Sequence, residues 1–444
     1  MSTGINIGKS IKVLDEGSTL TSDVSQINFT GTGVAATAVG NNVTVNVTGS
    51  SGVWGISNAS GVYTYYATLT LAMAAAVAGQ TVELFADVTE TGAVTVTLKD
   101  GVTIQGNGHT YNHTQAGSSN TFNTGAAGGT FRIFNINITR SNNTGGYVIY
   151  TGGTAGSATQ VFYLDGTWIT LNSSSGGGVL YTSAGVGVLR KFYNANLVIN
   201  TTGVIGSSTN TFDGSLWIYN FNVRATTSST TLGFAMTFYD TFIESDSSPS
   251  AGGLITYSSF NGCTFIARGN TPCISSECSG VNSYFFCAAS YTTYVNMYSF
   301  SNCVFASSGS IAMYSDTANV FRNCVFSSSV NIAAYSATGT ANLVNCSALS
   351  AGGAAVYNCN MQNCTVESSY NNAAGHAFRA ASNNLKLENN VFKVINASAN
   401  CINATSAYTI KYAGSTFEGS TTPVNANITQ GITNTQDNQG NILI

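Results

Sequence analysis

Charge is the first thing this sequence has little of. Of 444 residues, 7% are Asp, Glu, Lys or Arg, against about 25% in an ordinary soluble protein. Fourteen Lys and Arg spread along the whole chain cannot form the clustered basic stripe that a nucleic-acid backbone requires. No nucleic-acid partner is expected. Histidine is nearly absent, with only His109, His113 and His376. His109 and His113 lie four apart, but in a strand-and-turn region where that spacing does not bring them to one face, and no third ligand stands near. No metal and no cofactor are expected. Gly106-Asn107-Gly108 follows a strand but opens no helix, so it fails the context test for a dinucleotide-binding loop. Proline occurs three times. The most apolar helix-like run, Leu69 to Ala78, is too short to cross a bilayer, and the residues after Met1 lack the apolar core of a secretory leader. Membrane insertion is therefore not expected, and assembly in a cytoplasm is.

Cysteine is confined to one part of the chain: all ten lie between Cys263 and Cys401. The paired spacing of a zinc site is missing. Cys263, Cys303, Cys324, Cys346 and Cys364 fall at one place in a repeat, which reads as a column of small, buried, reduced thiols.

What the chain does have is aromatic and β-branched side chains, with 22 Tyr and 23 Phe, and a repeat. Phe300-Ser301-Asn302-Cys303-Val304-Phe305 returns 21 residues later as Phe321-Arg322-Asn323-Cys324-Val325-Phe326. Looser copies centre on positions 135, 165, 194, 220, 240, 262, 283, 345, 363, 389 and 414. One short apolar strand per repeat of this length means stacked coils, because no single coil can bury its own phenylalanine. Asn or Gly at the centre suits a left-handed backbone bend. The residues two apart beyond it, such as Cys303 and Phe305, then share the inward face. The expected fold is all-β, a right-handed single-stranded parallel β-helix. In it Asn302, Asn323 and Asn345 stack on one another, as do Cys303, Cys324 and Cys346, and Phe305 and Phe326. Ser307 is read as lying outside this core.

Residues 1 to 52 form a separate piece with three or four short strands turning at Gly31-Thr32-Gly33 and Gly40-Asn41-Asn42. The stretch from Asp15-Glu16-Gly17 and Leu20, through Ile27-Asn28-Phe29 and Gly31 to Val34, to Gly40 and Val43-Thr44-Val45, resembles a module near the N-terminus of tailed-phage virion proteins. The resemblance implies attachment to other virion proteins. Residues 53 to 110 read as a capping helix, Leu69 to Ala78 ended by Gly79, with the first strands. This layout is similar to pectin-lyase-like β-helices, where the helix covers the open first coil. Residues 111 to 420 are the solenoid and 421 to 444 a C-terminal cap or tail.

For catalysis, glycan-cleaving β-helices place two or three carboxylates on one face. The densest group here is Asp240, Glu244 and Asp246. Asp240 stands where the repeat wants Asn, so its plainest task is the bend. The aromatic surplus points elsewhere: Trp54, Tyr147, Trp168, Trp217, Tyr291 and Tyr294 are candidates for contact with a glycan or a subunit. The resemblance implies a structural protein of a phage particle, a tail spike or fibre in host attachment. It also implies a homotrimer located in the virion and a host surface glycan as partner. A capsid-bound head fibre or decoration protein, and a polysaccharide depolymerase, are the alternatives.

Overall fold

The computed structural model describes residues 52–430 apart from 115–117, 125–127, 142–144, 153–158, 173–176, 183–188, 201–203, 209–215, 227–232, 235, 247–254, 270–273, 276, 289–292 and 296–298. Before residue 52 it describes two antiparallel hairpins, Ile11–Asp15 with Ser18–Val24 and Val34–Val39 with Asn42–Val47. The body is a parallel β-solenoid with three strands per coil. The coil at Asn302 shows the plan. Ser299–Ser301 lies on a first face, Val304–Ser307 on a second and Met313–Ser315 on a third, and each pairs in parallel with its counterpart one coil on. Because the strands Gln160–Asn172 and Arg190–Ile199 run through the bend, the first and second faces, with the strands that close the ends, run together as one 31-stranded sheet, while the third face is a sheet of 14 strands.

Like residues lie over like along the axis. Phe300 pairs with Phe321, and Phe305 with Phe326. Phe305 is fully buried, stacked on Phe285 at 5.2 Å and on Phe326 at 5.3 Å. Where a column lacks a side chain, another ring fills the gap. Gly280 stands between Phe260 and Phe300 in the first face, and Phe285 turns edge-on to both, at 5.3 and 6.1 Å. Ser307 differs from expectation. It is 4% exposed, on the inward face, and its hydroxyl accepts the Ser310 N–H at 3.0 Å. Strand alternation carries it inward with Cys303 and Phe305, and the hydrogen bond lets a hydroxyl stay there.

The bends are in the left-handed region at Asn135, Asn194, Asn220, Asp240, Asn302, Asn323, Asn345, Asn363 and Asn389. Two sit one residue from the expected place, at Gly166 rather than Asp165 and at Asn282 rather than Ser283. Both shifts put the residue with the lower left-handed cost at the bend. The asparagines form ladders: Asn302 donates to Asn282 at 3.1 Å, Asn323 to Asn302 at 3.1 Å, Asn345 to Asn323 at 3.3 Å and Asn363 to Asn345 at 3.1 Å. A second set of bends, at Tyr257, Glu277, Asn358 and Asn384, joins the third face to the first. The repeat phrase does not contain these.

The first coil is closed by the hairpin Trp54–Ser57 and Tyr63–Tyr66, antiparallel to the strand Thr81–Leu84, and by the helix Leu69–Ala75. The helix stops short of Gly79, at Ala76, whose backbone is extended. Two charged side chains of the coil beneath fix its ends. Glu90 accepts the Leu69 N–H at 2.7 Å at the N-terminus, and the Lys99 ammonium donates to the Ala74 and Ala76 carbonyls at 2.7 and 2.9 Å at the C-terminus. Each sign sits at the helix end whose dipole favours it.

Candidate functional site

With most of the core apolar, binding chemistry is sought first on the outer faces. Outward residues there form columns, one position per coil, about 4.8 Å apart. On the second face one such column runs Asn137, Trp168, Asn196, Asn222, Phe242. Trp168 is 47% exposed and Phe242 37%. Two carboxamides thus lie between two exposed aromatic rings, and a third, Asn137, lies beyond the indole. The column beside it carries Arg224 and Glu244. An indole offers a flat apolar surface to the C–H face of a sugar, and carboxamides both donate to and accept from hydroxyls.

On the outer side of the first face, Tyr163, Tyr193, Tyr219 and Tyr239 stack at 5.2, 4.5 and 4.5 Å. Trp217 lies beside them, tilted against Tyr219 and Tyr239, with the Lys191 ammonium 5.2 Å from its ring centre. Burial, followed by the neighbouring Tyr193 and Tyr239, pushes the Tyr219 hydroxyl up to about 12. These rings cover one another, so the column offers edges and hydroxyls rather than open faces. A similar column, Tyr314, Tyr335 and Tyr357, stacks at 5.0 and 4.6 Å on the third face, with the Arg379 guanidinium 5.7 Å from the Tyr357 ring centre. One tyrosine recurring per repeat was the signal for it.

Trp54 is not a surface residue. It is fully buried, with its indole N–H on Glu90 at 3.2 Å, and Tyr111 donates to the same carboxylate at 3.1 Å. The fixed cap, not a ligand, occupies this indole. Tyr147 is half-buried on the third face and stacks on Tyr181 at 4.5 Å. Tyr291 lies outside the described residues. Tyr294 lies in the strand Thr293–Val295, paired with Tyr314, and its side chain is outside them.

The three acidic candidates part company. Asp240 is the bend residue, exposed, with φ of 46°. Glu244 points outward on the second face and is engaged by Arg268, at 2.6 Å through Nη2 and 2.8 Å through Nε. Asp246 is exposed just past the strand end. Asp240 sits at the bend before the strand Phe242–Ser245, and Glu244 lies within that strand on its outward side. Glu244 and Asp246 are two apart, but Glu244 is already taken by a guanidinium.

The inward groups that the sequence did not reveal are Glu90, His113 and Arg140, aligned on three successive coils of the second face. His113 meets the Thr121 hydroxyl at 2.8 Å, and burial, followed by the Arg140 charge, lowers its pKa to about 4. Arg140 donates to the Ser119 and Gly145 carbonyls at 2.5 and 3.1 Å and to Tyr147 O, and burial brings its pKa to about 10. His109 instead faces Asp87 at 3.3 Å. Among the described residues no three His, Cys, Asp or Glu side chains come together as metal ligands, and no helix is long and apolar enough to cross a membrane.

The fold defines the protein as a parallel β-solenoid. No family description and no curated protein matches the chain. Among the solved structures that resemble it are the following two. One is the tailspike protein gp49 of Acinetobacter baumannii bacteriophage Fri1, a capsular polysaccharide depolymerase. It is 13% identical, with a TM-score of 0.29, over 66% of this chain and 57% of the tailspike. The other is the A-module of the Azotobacter vinelandii mannuronan C-5 epimerase AlgE6, 9% identical, with a TM-score of 0.17, over 74% of this chain and 92% of the module. This chain thus spans 57% of the tailspike's length. Likeness at this level carries no argument about activity.

Proposed function

We propose that this protein is a virion component of a tailed phage, a tail spike or fibre whose solenoid holds a host surface glycan. In this reading residues 1 to 52 attach it to other virion proteins and three copies associate as a homotrimer. The observation that carries the glycan reading is Trp168, 47% exposed on the second face with Asn137 and Asn196 on the coils either side of it. An indole bracketed by carboxamides, in a column nearly free of charge, suits a polyhydroxylated chain better than a charged partner. Three features support binding without cleavage: Asp240 at a bend, Glu244 engaged by Arg268, and Asp246 beyond the strand end.

The test is retention of purified host capsule or lipopolysaccharide by the full chain, with the size of the glycan followed over time. Trp168→Ala should weaken retention at least tenfold while the glycan keeps its length. Shortening of the glycan that Glu244→Gln abolishes would replace this reading with the depolymerase one. Retention unchanged in Trp168→Ala would remove the column from the binding surface.

A further inference from the structure

Far from Trp168, on the outer side of the first face, a depression of about 140 Å³ opens over the coils at Asn342, Asn360 and Lys386. The sheet pairing is incomplete at its edge. The pairing of Asn360–Gln362 with Lys386–Glu388 is confined to Met361 with Leu387 and Gln362 with Glu388. At the next position the Lys386 N–H is taken by the side-chain oxygen of Asn360, at 2.9 Å, rather than by a backbone carbonyl. Asn360 is fully committed to this, its amide donating to Asn342 at 3.2 Å and to the Gly339 carbonyl at 3.5 Å. Asn342 is committed as well, accepting from Asn360 and donating to the Thr340 carbonyl at 3.0 Å, but the other polar side chains of the depression are not. The Gln362 carboxamide, the Lys386 ammonium and the Glu388 carboxylate line it with no protein partner. Val344 adds an apolar patch.

We propose that this depression is a second saccharide subsite, taking one neutral hexopyranose unit of the same host glycan. The inference rests on the glycan-attachment reading and adds a place and a chemistry to it. The volume matches a single sugar ring rather than an extended chain. A carboxylate and a carboxamide side by side accept from and donate to vicinal hydroxyls, an ammonium donates to a third, and a valine meets a C–H face. Lys386 and Glu388, one of each sign, line the depression, while Lys411 and Arg322 stand outside it on the flanking coils; the hydroxyls of a neutral ring satisfy the lining without a net charge on the ligand.

The test is ligand-observed saturation-transfer NMR on the full chain with methyl glucopyranoside, methyl galactopyranoside, methyl mannopyranoside and methyl glucuronide. Retention of host glycan is measured in parallel on the same samples. At least one neutral glycoside should bind, and Glu388→Gln and Gln362→Ala should each weaken it about tenfold, the loss expected for one hydrogen bond to a charged or well-placed group. Circular dichroism checks that both variants fold, and the comparison is repeated in a Trp168→Ala background so that sugar held at the indole does not contribute. Binding of the neutral glycosides that neither variant changes, preference for the glucuronide, or no glycoside binding at all overturns the subsite. If host glycan is still retained in any of these cases, and retention is sensitive to Trp168→Ala, the attachment reading stands without the subsite. If the wild-type chain retains no host glycan, the attachment reading fails with it.

Discussion

The backbone N–H of Cys324 is hydrogen-bonded to the sulfur of Cys346, one coil on, at 3.4 Å. The same contact recurs along the axis with other acceptors: Cys263 N–H on the Ser283 hydroxyl at 3.1 Å, Cys364 N–H on the Asn390 carboxamide at 2.8 Å and Asn390 N–H on the Ser415 hydroxyl at 3.3 Å. A left-handed bend turns the next N–H inward, away from the ladder of backbone bonds. A buried donor needs an acceptor, and the small side chain of the following coil supplies it. Cysteine at this position is therefore a compact acceptor rather than a redox group. Hydrogen bonding to the neighbouring thiol, with burial, pushes Cys324 and Cys346 up to about 12. Cys346→Ser should preserve stability to within about 1 kcal/mol, because serine does this work at position 283. Cys346→Ala should cost roughly 1–3 kcal/mol by leaving the Cys324 N–H unmatched. Thermal unfolding of the two variants checks the difference; equal losses would mean that volume, not the acceptor, matters.

Asp240 interrupts the asparagine ladder. Asn220 donates to Asn194 at 2.9 Å, but an ionised aspartate above it has no N–H to continue the series. Asp240→Asn places a better left-handed residue at the bend and restores a donor toward the Asn220 oxygen. The expected result is a gain of about 0.5–1 kcal/mol, read as a rise in melting temperature, with glycan retention unchanged. Loss of a glycan-cleaving activity in this variant would assign Asp240 to catalysis instead.

His113, in the interior column between Glu90 and Arg140, makes stability depend on pH. His113 is lowered from 6.5 to about 4, so between these values the unfolded chain binds more protons than the folded one. Stability is then greatest above pH 6.5 and falls as the pH drops toward 4, by up to about 3 kcal/mol from this residue. His113→Gln should flatten the upper part of that window, between pH 5 and 6.5, where few carboxylates titrate. Urea unfolding at several pH values measures it. A variant with the wild-type slope would place the proton elsewhere.

How much of this was legible follows from what repeats. The phrase at 300 and 321 fixed the bend, the inward parity of Cys303 and Phe305, and the stacking of coil on coil, because each is local and recurs. The bends at Tyr257 and Glu277 were not legible, since neither residue is an ordinary left-handed one and the loops before them vary in length. Asn282 and Gly166 were missed by one position because either of two adjacent residues could take the turn by composition. Trp54 was misread as surface for another reason. Its burial depends on Glu90 and Tyr111, 36 and 57 residues on, and on a helix whose docking no local pattern shows. The exposed Trp168 was picked out from the sequence, but its bracketing by Asn137 and Asn196 came from register between coils. The depression at Lys386 came from one missing pair at a strand end, which a repeat-based reading smooths over.

Cross-linking between neighbouring coils tests the central claim most directly. Val304 and Val325 point outward in register on adjacent coils, and Ser347 follows Val325 on the next. Adjacent positions should be about 4.8 Å apart, inside the 4.4–6.8 Å range of Cα separations that a disulfide spans, whereas positions two coils apart, at roughly 9.6 Å, are outside it. The described native cysteines are buried and should not compete. Under mild oxidation the double variant Val304→Cys/Val325→Cys should form an intramolecular disulfide, detected by mass spectrometry of proteolytic fragments, and Val304→Cys/Ser347→Cys should not. A disulfide in the second pair and none in the first would contradict the stacking of coil on coil.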